Sequence, residues 1–184
     1  MLLAVLATSL GMSLAAHDTT TTFGVVERDL TGDGIPEVLT LSGTGSSIDS
    51  LEVSFTIQSS RRNLYSLTWR LTRASFNPRR RISDAELRTH LTEYGKAFFA
   101  DSKFMSPTGF RSWLRTSARL HISETPEVIA REMTPNNLPR ARTIWGEMQA
   151  VGVTVFQFSP GGDAIKVIGW SPTDDRFYDL LECC

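Results

Sequence analysis

Residues 51–58 alternate without a break: Leu51, Val53, Phe55 and Ile57 are apolar, and Glu52, Ser54, Thr56 and Gln58 are polar. Successive side chains of a strand point to opposite faces, so the stretch predicts a strand with one buried face and one wet face. Residues 64–71 alternate in the same way, with Tyr65, Leu67, Trp69 and Leu71 on one side. Upstream, residues 23–28 are apolar-rich and β-branched, residues 38–41 read Val-Leu-Thr-Leu, and the glycine-bearing segment between them predicts a hairpin. Residues 43–50 are rich in glycine and serine and read as a flexible connection, and residues 59–63 read as a turn. The first half therefore predicts a four-stranded antiparallel meander.

The period lengthens after Pro78. Ser83-Asp84-Ala85-Glu86 is a capping box, in which serine and glutamate each satisfy an orphan amide of the helix start. Leu87, Leu91, Tyr94 and Phe98 then recur at helical spacing and predict a helix to about Ala100. Ser106-Pro107 predicts a second helix, with serine as cap, proline at the first position, and Phe110, Trp113, Leu114 and Ser117 on the buried side. Thr125-Pro126 opens a short third helix. Asn137 opens a fourth, with Ala141, Ile144, Trp145 and Met148 facing inward and Gly152 as its stop. Strands return at residues 153–158 and 164–170, joined by a turn at Ser159-Pro160-Gly161-Gly162-Asp163. Residues 177–181 form a last short element, strand or helical turn.

Strands, then helices, then strands indicate an α+β domain. The expected arrangement is one antiparallel sheet, made of the N-terminal meander and the C-terminal hairpin, with about four helices on one face. Residues 23–184 are assigned to this single domain and residues 16–22, polar and threonine-rich, to a disordered lead-in. Residues 1–15 read as a secretory signal peptide, because an apolar run ends in Ser13-Leu14-Ala15, a small-x-small cleavage pattern. That run is shorter than the ~20 residues a membrane-crossing helix needs, and no other segment suits a stable span. The expected location is secreted or periplasmic.

Charge adds an asymmetry that the net value of −1 conceals. Residues 1–60 hold seven acids and one base, residues 61–121 four acids and thirteen bases, and residues 122–184 nine acids and five bases. Either these surfaces neutralise one another within the globule, or a basic face meets an anionic or protein partner. The near-zero total and the lack of a nucleic-acid motif argue against nucleic-acid binding. The only cysteines, Cys183 and Cys184, are adjacent, so they cannot staple distant parts of the fold and lack the C-x-x-C spacing of redox catalysis.

The densest candidate chemistry is Asp29-Leu30-Thr31-Gly32-Asp33-Gly34-Ile35-Pro36-Glu37. Oxygen-bearing side chains stand at alternate positions around glycines, as a hard cation such as Ca²⁺ requires. The segment resembles the calcium loops of integrin-type FG-GAP and VCBS repeats and, more loosely, those of dockerins and EF-hands. By that resemblance Asp29, Thr31, Asp33 and Glu37 offer side-chain oxygens and Ile35 its carbonyl. It departs at Thr31, where Asn or Asp is usual, and at Glu37, where Asp is usual. The closing glutamate of an EF-hand falls on Thr40, which excludes that reading. A single copy implies no propeller. The other account of the same residues is a hairpin turn held by Asx-type hydrogen bonds without an ion.

His90 and His121 stand in no metal-binding or catalytic spacing, and Arg61, Arg62 and Arg79 to Arg81 mark either solvated turns or an anion-binding corner. The whole resembles uncharacterised exported bacterial proteins that carry a single hairpin of this kind, a likeness that implies no activity. The reading is a secreted or periplasmic, non-enzymatic binding or structural module with a hairpin that Ca²⁺ could stabilise. The alternatives are a small hydrolase-like enzyme whose carboxylates and histidine meet only in the fold, and an inhibitor of a secreted enzyme presenting residues 159–163.

Overall fold

A computed structural model describes residues 19–47, 49–60, 62–77, 82–116, 125–133, 138–162 and 164–183. Residues 1–18, with the expected signal peptide, lie outside it, as do Ser117, His121, Arg61 and Arg79 to Arg81. The order is β1 (Thr19–Arg28), β2 (Glu37–Ser47), β3 (Ser50–Gln58), β4 (Asn63–Thr72), α1 (Arg73–Phe76), α2 (Asp84–Phe98), β5 (Phe104–Met105), α3 (Pro107–Thr116), α4 (Thr125–Met133), α5 (Leu138–Val151), β6 (Val155–Phe158), β7 (Ile165–Ser171) and β8 (Arg176–Cys183). The α+β class stands. No helix of the described residues is long and apolar enough to cross a membrane.

The meander forms as the alternation predicts, with β1, β2, β3 and β4 side by side and antiparallel. Register places Leu41 beside Phe55 and Phe55 beside Leu67, so the apolar positions share one face. Leu39, Leu41, Val53, Phe55 and Ile57 are completely buried there. The other face carries rows such as Thr22, Ser42, Ser54 and Thr68, one residue from each strand in turn. Two expectations change at its margin. Thr19 to Thr22 belong to β1 rather than to a disordered lead-in, paired with Gly45 through Ser42; β-branched threonine suits a strand even where it faces water. Gly43 to Ser47 belong to β2 rather than to a flexible connection. Gly43 is a packing residue, since a Cβ there would come within 2.6 Å of the Phe23 ring.

The C-terminal hairpin forms, but not in that sheet. β5, β6, β7 and β8 make a second antiparallel sheet of four strands. The reason lies in β7, where residues 166–171 are all buried and so need cover on both faces. One face is covered by the meander: Phe55 meets Phe158 at 5.1 Å and Phe156 at 5.6 Å between ring centroids, and Tyr65 meets Phe177 at 5.9 Å. The other is covered by helices, with α5 against β7 and α4 against β8. A Cβ on Gly169 would come within 2.8 Å of Leu180 and 3.5 Å of Met148, which shows how closely α5 approaches. The buried side chains of both sheets and the helices form one continuous core. β5, with two residues, is too short for periodicity to reveal, and the last element proves to be a strand.

The starts of α2 and α3 follow their caps, whereas Thr125 is itself the first residue of α4 and Asn137 lies outside the described residues. The Ser83 hydroxyl accepts the Glu86 N–H at 3.3 Å and the Glu86 carboxylate accepts the Ser83 N–H at 2.7 Å. Ser106 Oγ accepts from Gly109 N–H at 3.0 Å ahead of Pro107. Gly152 ends α5 at φ +78°. On α3 Phe110 is fully buried while Trp113 and Leu114 are half-buried. The buried face of α2 is Leu87, Leu91, Gly95 and Phe98. Gly95 rests on β1, where an added Cβ would overlap the Phe23 carbonyl oxygen.

Gly→Ala in an exposed helix stabilises by about 1 kcal/mol. At Gly95 the sign should reverse, because overpacking of this kind costs about 1–3 kcal/mol. Urea unfolding of Gly95→Ala should show a lower midpoint at unchanged slope; an equal or higher midpoint would mean that α2 is free to move off β1.

Candidate functional site

The loop between β1 and β2 turns at Gly32 (φ +78°) and Gly34 (φ +83°), a region that favours glycine. Asp29 accepts the Gly32 N–H at 2.6 Å and the Gly34 N–H at 2.8 Å. Asp33 accepts the Ile35 N–H at 2.8 Å. Glu37 is only 2% exposed and divides its oxygens, one accepting the Leu30 N–H at 2.8 Å and the other the Thr31 hydroxyl at 3.1 Å. The structure thus brings Thr31 and Glu37 together, while Asp29 and Asp33 grip the loop's own main chain. Ile35 projects into solvent, 61% exposed. Among the described residues, no three His, Cys, Asp or Glu side chains gather as a group able to hold a metal ion.

The loop is also fastened to the rest of the molecule. Leu30 is fully buried and its carbonyl accepts the Thr154 N–H, between α5 and β6, at 3.2 Å. Gly32 lies under the end of α5, where a Cβ would come within 2.8 Å of Val151 Cγ1. The hydrogen-bonded turn therefore acts as a buckle between the first hairpin and the α5–β6 junction.

The remaining candidates have local tasks. His90, on α2, stacks on Phe76 at 5.8 Å and lies 3.8 Å from Glu93, one turn further along. Arg62 pairs with Asp175 and lies over the Trp170 ring. The turn at residues 159–162 lies down on the meander instead of projecting. The Tyr94 hydroxyl donates to the Ser159 carbonyl at 2.9 Å, and a Cβ on Gly161 would meet Leu71 at 3.1 Å. Burial pushes the Tyr94 phenol well above its ordinary range.

One polar cluster escaped sequence reasoning. At the β7–β8 turn, Asp174 accepts the Tyr178 hydroxyl at 2.5 Å and pairs with Arg140 of α5. Its N–H donates to the fully buried Ser171 Oγ at 3.2 Å, and Thr173 donates to Glu147 of α5. Arg176 lies 4.0 Å above the Tyr178 ring. Asp175 takes φ +52° so that the chain can reverse. The Tyr178 hydrogen bond, helped by Arg140 and opposed by burial, holds the Asp174 carboxyl below the usual carboxylate range. Burial, then Asp174, pushes the Tyr178 phenol up. The sequence shows turn residues here, but the partnership of Asp174 with Tyr178 and α5 exists only after the hairpin closes. With Tyr178 only 2% exposed, the cluster ties the turn to α5 and does not present an acid to solvent.

Because the folded pKa of Asp174 is lowered, its contribution is present above the unfolded value of ~3.9 and is lost as pH falls through the folded one. Tyr178→Phe should therefore lower stability at pH 7 by about 1–2 kcal/mol. That deficit should shrink in acid as Asp174 protonates in both proteins. Urea titrations from pH 7 down to acid would refute the linkage if the deficit stayed constant.

No protein-family model matches this chain, and no curated protein and no solved structure is detectably similar to it.

Proposed function

We propose that the protein is an exported, non-enzymatic binding or structural module whose acidic hairpin loop is a structural latch that Ca²⁺ can reinforce. The observation that carries this reading is the fastening of the loop: Asp29, Asp33 and Glu37 hold main-chain N–H groups, and Leu30 and Gly32 dock on the α5–β6 junction. An ion at such a place would tighten a connection between elements rather than activate a substrate. Carboxylate oxygens have lone pairs beyond one hydrogen bond each, so Asp29, Asp33 and Glu37 can join Thr31 and the Ile35 carbonyl as hard-oxygen donors. Binding would require Glu37 to share an oxygen it now gives to Thr31 or Leu30. The Ser13-Leu14-Ala15 pattern after an apolar run supports export.

The charge pairs support a neutralised surface over a dedicated polyanion face. Arg28 meets Asp101 at 2.6 Å, Arg73 meets Asp49 at 2.5 Å and Asp84 at 2.6 Å, and Arg62 meets Asp175. Arg73–Asp49 and Arg62–Asp175 join the basic stretch to the acidic ones, while Arg73–Asp84 lies within the basic stretch.

With a Kd of the 10⁻⁴–10⁻³ M order usual for extracellular modules, ~5 mM Ca²⁺ should stabilise by about 1–2 kcal/mol. Thermal unfolding should then shift up by roughly 2–8 °C, and by less in equal Mg²⁺, which tolerates irregular oxygen cages poorly. An unchanged melting temperature would leave the latch without an ion. Separately, intact-mass measurement of exported material should find a new N-terminus near Ala16. Exported protein retaining Met1 would refute cleavage.

A further inference from the structure

A sheet edge exposes unpaired N–H and C=O groups and invites another strand, so folded chains blunt their edges. Three of the four edges here are blunted. β1 is broken by a bulge between Thr22 and Gly24, and α2 lies on it at the Phe23 carbonyl. β5 is two residues long, and β8 carries the charged residues Arg176, Asp179 and Glu182 along its eight positions. β4 differs. It runs for ten residues, contains no proline or lysine, and pairs only with β3 among the described residues.

Its apolar row is also incompletely covered. Val53 and Phe55 of β3 are fully buried, yet their neighbours across the ladder, Trp69 and Leu67, are only half-buried. Ser66, Thr68 and Arg70 on the opposite side are exposed. The strand thus offers a hydrogen-bonding edge, a half-covered apolar row and a hydroxyl-bearing outer row.

We propose that β4 pairs with β4 of a second copy, antiparallel about a two-fold axis at Leu67, which joins the two meanders into one eight-stranded sheet. The strand is self-complementary in that register. Leu67 meets Leu67 of the second copy, and Tyr65 meets Trp69 of the second copy on the apolar face. Ser66 meets Thr68 of the second copy on the outer face. Arg70 is the one charged residue of β4 and falls opposite Leu64 of the second copy, so no like charges oppose. Such pairing extends both faces without changing what either presents.

The test uses outer-row charges, which leave the core untouched. Light scattering after gel filtration, from about 1 to 100 μM where weak interfaces dissociate, should give twice the monomer mass for the wild type. Ser66→Lys/Thr68→Lys should lose the dimer and keep its circular dichroism and melting curve, as should Ser66→Glu/Thr68→Glu. Mixing the two variants should restore the doubled mass, because lysine then faces glutamate across the axis. A wild type monomeric throughout the range, or a dimer surviving in either variant alone, would overturn the proposal.

Discussion

Phe55 stands where two sheets become one core. Its ring lies within about 6 Å of Phe98 from α2, of Phe156 and Phe158 from β6, and of Tyr65 on the neighbouring strand. Each sheet has an apolar face that a single layer could not keep from water, and the aromatic cluster is where those faces meet. The contact sets the positions of the other elements. With the meander on one side of β7, α4 and α5 must take the other, and the first hairpin is held near the junction of α5 and β6.

That placement gives the acidic loop its character. A hairpin tip on an open sheet would hang in solvent, whereas this one reaches the end of α5. Its carboxylates satisfy amides that turning the chain so tightly would leave unpaired. Burying the Glu37 carboxylate would be costly without partners, and the Leu30 N–H and Thr31 hydroxyl supply them. The same chemistry, a ring of oxygens around a tight glycine turn, serves an ion or a latch; the difference lies in whether the oxygens face one point or the backbone.

Much of the fold was legible because it depends on local rules. Alternation in residues 51–58 and 64–71, the Ser83–Glu86 box and the Ser106-Pro107 start are decided by neighbours a few residues away. What was not legible depends on distant contacts. Nothing near β7 indicates whether its hairpin extends the meander or faces it; only burial on both sides decides that. Gly43 read as part of a linker and nothing local singles out Gly95 within its helix, but each is small because Phe23 lies against it. Thr19 to Thr22 looked like a polar tail because the strand they pair with, extended through Gly45, looked like a linker too. In the candidate site, residue types and order were visible, while the docking of Leu30 and Gly32 and the whole Asp174 cluster required the tertiary structure.

The uneven charge along the chain follows the same logic. An antiparallel architecture brings residues far apart in sequence side by side, so an acidic stretch and a basic stretch become paired surfaces. Arg73 bridges Asp49 and Asp84, the turn before β3 and the start of α2, and Arg62 reaches Asp175 across the gap between the sheets. Surface pairs of this kind gain little in high dielectric, so they do not hold the fold together. They change what the surface offers. A polyanion approaching this part of the molecule meets guanidinium groups already matched by carboxylates, and must displace those carboxylates before it gains an ion pair of its own. Of the thirteen bases in residues 61–121, Arg62 and Arg73 are matched in this way, so part of that stretch's positive charge is taken up within the molecule.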